Sequence, residues 1–129
     1  MKAQISLITI LTNDVPVMKN FYNVVLGFEI KNDMDNYVEF SSEGVRFAIC
    51  NREIMTGVTG GHPSYKDSKS GQAFELAFPC ESPEDVQKTF DEIISKGATP
   101  VKAPATMPWG QTTAFFADPD GNIHEIFSN

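Results

Sequence analysis

The sequence repeats itself, and that constrains the fold more than any other feature. Tyr37 to Cys50 (YVEFSSEGVRFAIC) lies over Ala114 to Phe127 (AFFADPDGNIHEIF) without a gap at an offset of 77 residues. Gly44 then falls on Gly121, and Ala48 on Glu125. Few identities support this overlay; the pattern of elements carries it. Each half reads as a strand, a helix, a glycine stop, then three strands with a tight turn before the last.

In the first half, residues 4–11 are rich in β-branched and apolar types and predict a strand. Met18, Phe21, Tyr22 and Val25 recur at helical spacing, after Asn13 or Asp14 as cap and Pro16 in the first turn, and Gly27 stops the run. Strands are expected near 28–32, 36–41 and 45–50, the last two joined by Ser41-Ser42-Glu43-Gly44. In the second half, Phe74 to Phe78 alternates like a strand. Ser82 caps a helix that begins with Pro83 and carries Val86, Phe90, Ile93 and Ile94 on one face up to Gly97. Strands 98–102, 111–117 and 122–128 follow, with Asp118-Pro119-Asp120-Gly121 turning the last pair. Residues 51–72 hold four glycines, three serines and a proline without periodicity, so they read as a long exposed linker.

The expected fold is therefore α+β, a single domain over residues 1–129. Two βαβββ modules, about 4–51 and 73–128, are joined by linker 52–72 and form curved mixed sheets around a pocket. Each half-sheet buries one face on its helix and leaves the other free to curve around the cavity. A chain of 129 residues with 11% aromatics can build such a core and is not a disordered one. The net charge of −7 argues against nucleic-acid and anionic-membrane partners, which need a basic patch that no Lys/Arg cluster supplies. Cys50 and Cys80 each end an apolar run and read as small buried hydrophobes in a reducing compartment. The N-terminal apolar run lacks a small-residue cleavage site, and no stretch is long enough to span a membrane. A soluble, cytoplasmic domain is expected.

Strand alternation sorts the side chains into two faces. Phe74, Leu76 and Phe78 are expected on the helix, with Glu75 and Ala77 opposite. In the last strand His124 and Ile126 share one face, and Ile123, Glu125 and Phe127 the other. In the first half Phe47, Ile49, Ile8 and Ile10 take the helix face, leaving Arg46, Ala48, Cys50, Leu7, Thr9 and Leu11. The inner surface is thus mostly apolar with three charges, Arg46, Glu75 and Glu125, which suits a small-molecule site.

The double βαβββ layout, Phe21-Tyr22 through Leu26-Gly27-Phe28, and the run Asp118-Pro119-Asp120-Gly121-Asn122 leading to Glu125 resemble the vicinal oxygen chelate superfamily. It takes in glyoxalase I, bleomycin-resistance proteins, fosfomycin-resistance enzymes and extradiol dioxygenases. The resemblance covers nearly the whole chain outside the linker and implies the superfamily, not one activity within it. In its metal enzymes, His, Gln or Glu on the first and last strands of each module hold a divalent ion. Carried over, those positions are Leu7, Ala48, Glu75 and Glu125, so two of the four keep a ligand. Two carboxylates hold a transition metal poorly, and no cofactor is expected. The alternative is a divalent Zn, Ni, Mn or Fe on Glu75 and Glu125.

The candidate ligand pocket is lined by Leu7, Thr9, Arg46, Ala48, Cys50, Glu75, Ala77, Trp109, Ile123 and Phe127, with Glu125 as the candidate catalytic group. If Glu75 and Glu125 lie close, repulsion raises one pKa and makes an acid–base pair; the duller outcome is that Arg46 neutralises one of them. His124 reads as a helix-face or exposed residue rather than a ligand, His62 as a solvated loop residue, and the DPDG aspartates as turn formers. Trp109 reads as a loop anchor or as a cover for the pocket. The first functional reading is a resistance-type binder of a small cationic or amphipathic molecule. The second is a metal-dependent lyase or isomerase resembling glyoxalase I, with Glu125 as base or ligand. A plain interaction module is the weakest reading, because the fold builds a cavity. The resemblance also implies a homodimer, with the linker as a dimer arm.

Overall fold

Each half of the sequence forms one four-stranded mixed sheet backed by helix, giving two βαβββ-like modules of an α+β fold. The computed structural model describes residues 1–67 and 70–129; Ser68 and Lys69, within the expected linker, lie outside the described residues. Two compact units result, Met1–Ser70 and Gly71–Asn129.

Unit 1 begins with β1 (Leu7–Thr12) and α1 (Val15–Asn20). The Asp14 carboxylate accepts the N–H of Val17, and Pro16 sits in the first turn where no N–H is needed. The helix then widens into a π-helical turn, Phe21–Val25, closed by Leu26 N–H donating to Phe21 C=O at 3.0 Å. Gly27 leaves it at φ +83°, a conformation open to glycine. Strands β2 (Ile30–Asp33), β3 (Tyr37–Phe40) and β4 (Arg46–Asn51) follow, and the sheet order is β1-β4-β3-β2 with β1 parallel to β4. Tyr22 packs edge-on against Phe47 with ring centroids 5.0 Å apart, and Phe40 stacks on Phe47 at 5.5 Å. With Met18, Val38 and Ile49 these rings make the core, so the helical stripe and strand alternation meet as expected.

The described residues of 52–72, expected as a long exposed linker, are exposed or half-buried but include regular structure. They hold α2 (Arg52–Val58), capped by the Asn51 side chain on Glu53 N–H, and a 3-10 turn, Pro63–Tyr65. Neither buries a residue, so no apolar periodicity marks them in the sequence.

Unit 2 carries β5 (Ala77–Pro79), α3 (Pro83–Ser95), β6 (Thr99–Thr106), β7 (Thr112–Ala117) and β8 (Ile123–Ser128), in the order β5-β8-β7-β6. Ser82 Oγ accepts the Asp85 N–H, and Val86, Phe90 and Ile93 bury the helix stripe. One expectation fails at β5. Phe74 is 43% exposed, while Leu76 and Phe78 are half-buried. The cause is local: Leu76 N–H donates to His124 Nδ1 at 3.2 Å, so the regular ladder starts only at Ala77.

Candidate functional site

The sheet face turned away from the helix is defined in each unit by cross-strand register. In unit 1, Thr9 pairs with Ala48, and Ala48 with Glu39, giving one row across β1, β4 and β3. Leu11, Cys50 and Tyr37 form the next row, and Leu7 pairs with Arg46 on the other side. In unit 2 the matching row is Ala77, Glu125 and Phe115, with Pro79, Phe127 and Thr113 beside it. Each unit thus has one carboxylate in its central row, on β3 in one and on β8 in the other.

Glu39 was not among the expected site residues, and the structure adds it. Its side chain is 7% exposed, yet it is fully engaged. Arg46 donates Nε to Oε1 at 3.0 Å and Nη2 to Oε2 at 2.6 Å, a two-pronged ion pair. Lys31 Nζ reaches Oε1 at 3.2 Å, and the Tyr37 hydroxyl donates to Oε2 at 3.4 Å. The Arg46 hydrogen bonds hold Glu39 down at about 2, with Lys31 adding to them against the opposing effect of burial. Arg46 thus pairs with Glu39 of its own unit. Strand alternation alone could have found Glu39, because Tyr37 and Glu39 oppose the core residues Val38 and Phe40.

In unit 2, Glu125 is half-buried, as are its strand neighbours Ile123 and Phe127 on the same face. Burial, and then the charge of Glu75, push its carboxyl above the usual range. Glu75 itself is exposed, as is Ala77. His124 lies on the helix face, fully buried, with Nε2 3.5 Å from Asp118 Oδ2. That aspartate forms the turn, as expected. It is 3% exposed and accepts the N–H of Asp120 and Asn122 and the Asn122 side-chain amide.

The remaining candidates are placed as follows. Ala48 and Cys50 are buried, Thr9 is half-buried, and Leu7 is 38% exposed. Burial pushes the Cys50 and Cys80 thiols up, and both are free, so neither is a ready thiolate. Trp109 is 69% exposed at the β6–β7 turn and donates Nε1 to Gln111 Oε1 at 2.9 Å. An open cavity of about 300 Å³ in unit 1 is lined by Leu26, Gly27, Phe28, Glu29 and Ser41, none of them an expected pocket residue.

Of the four positions that the resemblance offers for a metal, Leu7 and Ala48 have no donor atom, and Glu75 and Glu125 do. Among the described residues, no group of three or more His, Cys, Asp or Glu could hold a metal ion. Among them, too, no helix is long and apolar enough to cross a membrane.

Comparison with known proteins agrees with this architecture. The family model of the Glyoxalase/Bleomycin resistance protein/Dioxygenase superfamily matches residues 4–126. The uncharacterized protein YraH of Bacillus subtilis (strain 168) is 31% identical over 124 residues, covering 93% of this chain and 94% of that protein. A solved glyoxalase/bleomycin resistance protein/dioxygenase family enzyme from Burkholderia phytofirmans PsJN superposes with a TM-score of 0.86 at 25% identity, covering 98% of each chain. A solved glyoxalase/bleomycin resistance protein/dioxygenase from Nocardioides gives 0.86 at 23% identity, covering 99% of this chain and 84% of that one.

Proposed function

The chain belongs to the Glyoxalase/Bleomycin resistance protein/Dioxygenase superfamily, and from that premise we propose that it is a small-molecule-binding member of the resistance type that needs no tightly held metal. One observation carries the reading. Of the four positions where the superfamily's metal enzymes place ligands, Leu7 and Ala48 supply no donor, while Glu75 and Glu125 leave a carboxylate pair. Such a pair is a poor transition-metal site but a serviceable partner for a hydrogen-bond donor or a cation. Apolar Ile123 and Phe127, beside Glu125 on the helix-opposed face of unit 2, supply contact area for the organic part of a ligand. Pairing of two chains, with residues 52–72 as the arm, belongs to the same reading.

A second reading, a lyase or isomerase, is favoured by the raised pKa of Glu125, which suits a group that moves a proton beside a carbonyl.

The test is the metal content of purified protein, followed by titration of stripped protein with Zn, Ni, Mn and Co. A binder leaves the ions unbound below millimolar and takes up a screened ligand saturably without turnover. One tight ion per chain that is lost in Glu125→Gln overturns the metal-free reading. Turnover that dies in the same variant favours the second one.

A further inference from the structure

A structural ion pair on a sheet needs one cation for one carboxylate, yet Glu39 has two. Lys31 and Arg46 both reach it, leaving one positive charge over, in a chain whose formal charge is −7. Two positive charges thus stand at one carboxylate, and Glu39 matches only one of them.

Exposure says which way the surplus faces. The Glu39 side chain is 7% exposed, whereas those of Arg46 and Lys31 are 54% and 59% exposed. The buried carboxylate takes Nε and Nη2 of Arg46 and so fixes the plane of the guanidinium. The Arg46 side chain is 54% exposed and has N–H groups beyond those given to Glu39, with the Tyr37 hydroxyl beside it as a further partner. It can therefore offer the fork that planar oxyanions accept. Tyr37 lies at the same carboxylate with its hydroxyl. The floor beside the cluster is small and apolar: Ala48 is the partner of Glu39, and Leu7 the partner of Arg46.

We propose that Arg46 and Lys31, oriented by the buried Glu39, form a binding site for the oxyanion of a small molecule, a carboxylate or a phosphate group. This rests on the small-molecule reading above and gives the chemical class of a ligand held by unit 1, one that bears such a group. Glu39 acts as the positioning residue, while Arg46 and Lys31 make the contact.

The experiment follows the Arg46 side-chain Nε resonance by NMR while the protein is titrated with inorganic phosphate and, separately, with benzoate at constant ionic strength. Both probes shift that resonance saturably in the millimolar range. Arg46→Lys keeps the charge and the ion pair but loses the fork. It weakens binding about tenfold, read at the amides of β2 and β4. Lys31→Gln changes an exposed side chain, leaves the fold intact, and weakens binding a few-fold. No saturable shift at Arg46, or equal binding in wild type and Lys31→Gln, overturns the proposal. A protein that ignores both anions but takes up a screened ligand with shifts around Glu125 loses the oxyanion site and keeps the small-molecule reading. Anion binding at Arg46 without uptake of any larger compound keeps the site and removes that reading.

Discussion

His124 Nδ1 accepts the backbone N–H of Leu76 at 3.2 Å, so an imidazole stands where a strand partner would otherwise be. The next link is ordinary backbone, with Glu125 N–H donating to Leu76 C=O at 2.9 Å. Upstream, the Gln72 side chain accepts from Ile123 N–H at 3.0 Å and donates to Ile123 C=O at 2.8 Å. Side chains thus hold residues 72–76 to β8, and the segment that carries Glu75 stays beside Glu125 without joining the sheet. Because Nδ1 is the acceptor, the proton of neutral His124 is assigned to Nε2, facing Asp118.

Replacing His124 by Phe keeps the bulk but removes the acceptor for Leu76 N–H. The expected loss is about 1–3 kcal/mol, the usual cost of stranding a partly buried donor. Urea unfolding measures it, and faster amide exchange at Leu76 than in wild type locates it. Unchanged exchange at Leu76 would show that the imidazole does not hold the segment.

Asp118→Ala should be among the more damaging single changes outside the apolar core. The buried carboxylate accepts two backbone N–H groups and the Asn122 amide across a turn whose Pro119, Asp120 and Gly121 are exposed. Its removal costs about 1–3 kcal/mol, since water can reach part of the turn. Asp118→Asn retains one acceptor oxygen and should recover part of the loss. Thermal melts of the two variants decide it.

The pH dependence of stability separates the two carboxylates, because their shifts have opposite sign. Glu39 is held at about 2, below its ordinary 4.5. Its contribution is present above 4.5 and is lost as pH falls toward 2. Chemical denaturation between those values should show wild type losing more stability than Glu39→Gln. Parallel curves would mean that the Arg46 pair adds nothing.

Glu125 runs the other way. Its pKa is raised, first by burial and then by Glu75, so the folded state takes up a proton more readily than the unfolded chain. Ionising it at neutral pH costs stability, and that cost disappears as pH falls through the folded value. Glu125→Gln is therefore expected to melt higher than wild type at pH 7. The gain should shrink on acidification. A variant that melts lower at neutral pH would place Glu125 in a favourable pairing instead.

The module plan was legible in the sequence because it rests on local rules. Period-2 alternation marks β4 and β8, helical spacing marks α3, and Ser82-Pro83 marks where that helix begins. The face carrying Ala48 and Glu125 followed from alternation alone, and the offset of 77 holds for β4 and β8. The same offset fails by one residue on β3 and β7. It lays Glu39 over Phe116, a core ring stacked on Phe78, whereas Glu39 matches Phe115 on the opposite face.

The reason lies in the turns. Six residues separate the paired Phe40 and Phe47, and seven separate Phe116 and His124. One residue more in a turn moves every later partner to the other face. Which carboxylate meets Arg46 depends on that register, and so does the cluster with Lys31 and Tyr37. Helix α2 was hidden for a different reason, since it buries nothing and so leaves no apolar period to read. By itself the sequence determined two modules, their helices and the alternation of their strands. Only the tertiary structure decided which residues stand side by side across strands, because lateral pairing is set by turn length and hydrogen-bond register, which composition and periodicity do not record.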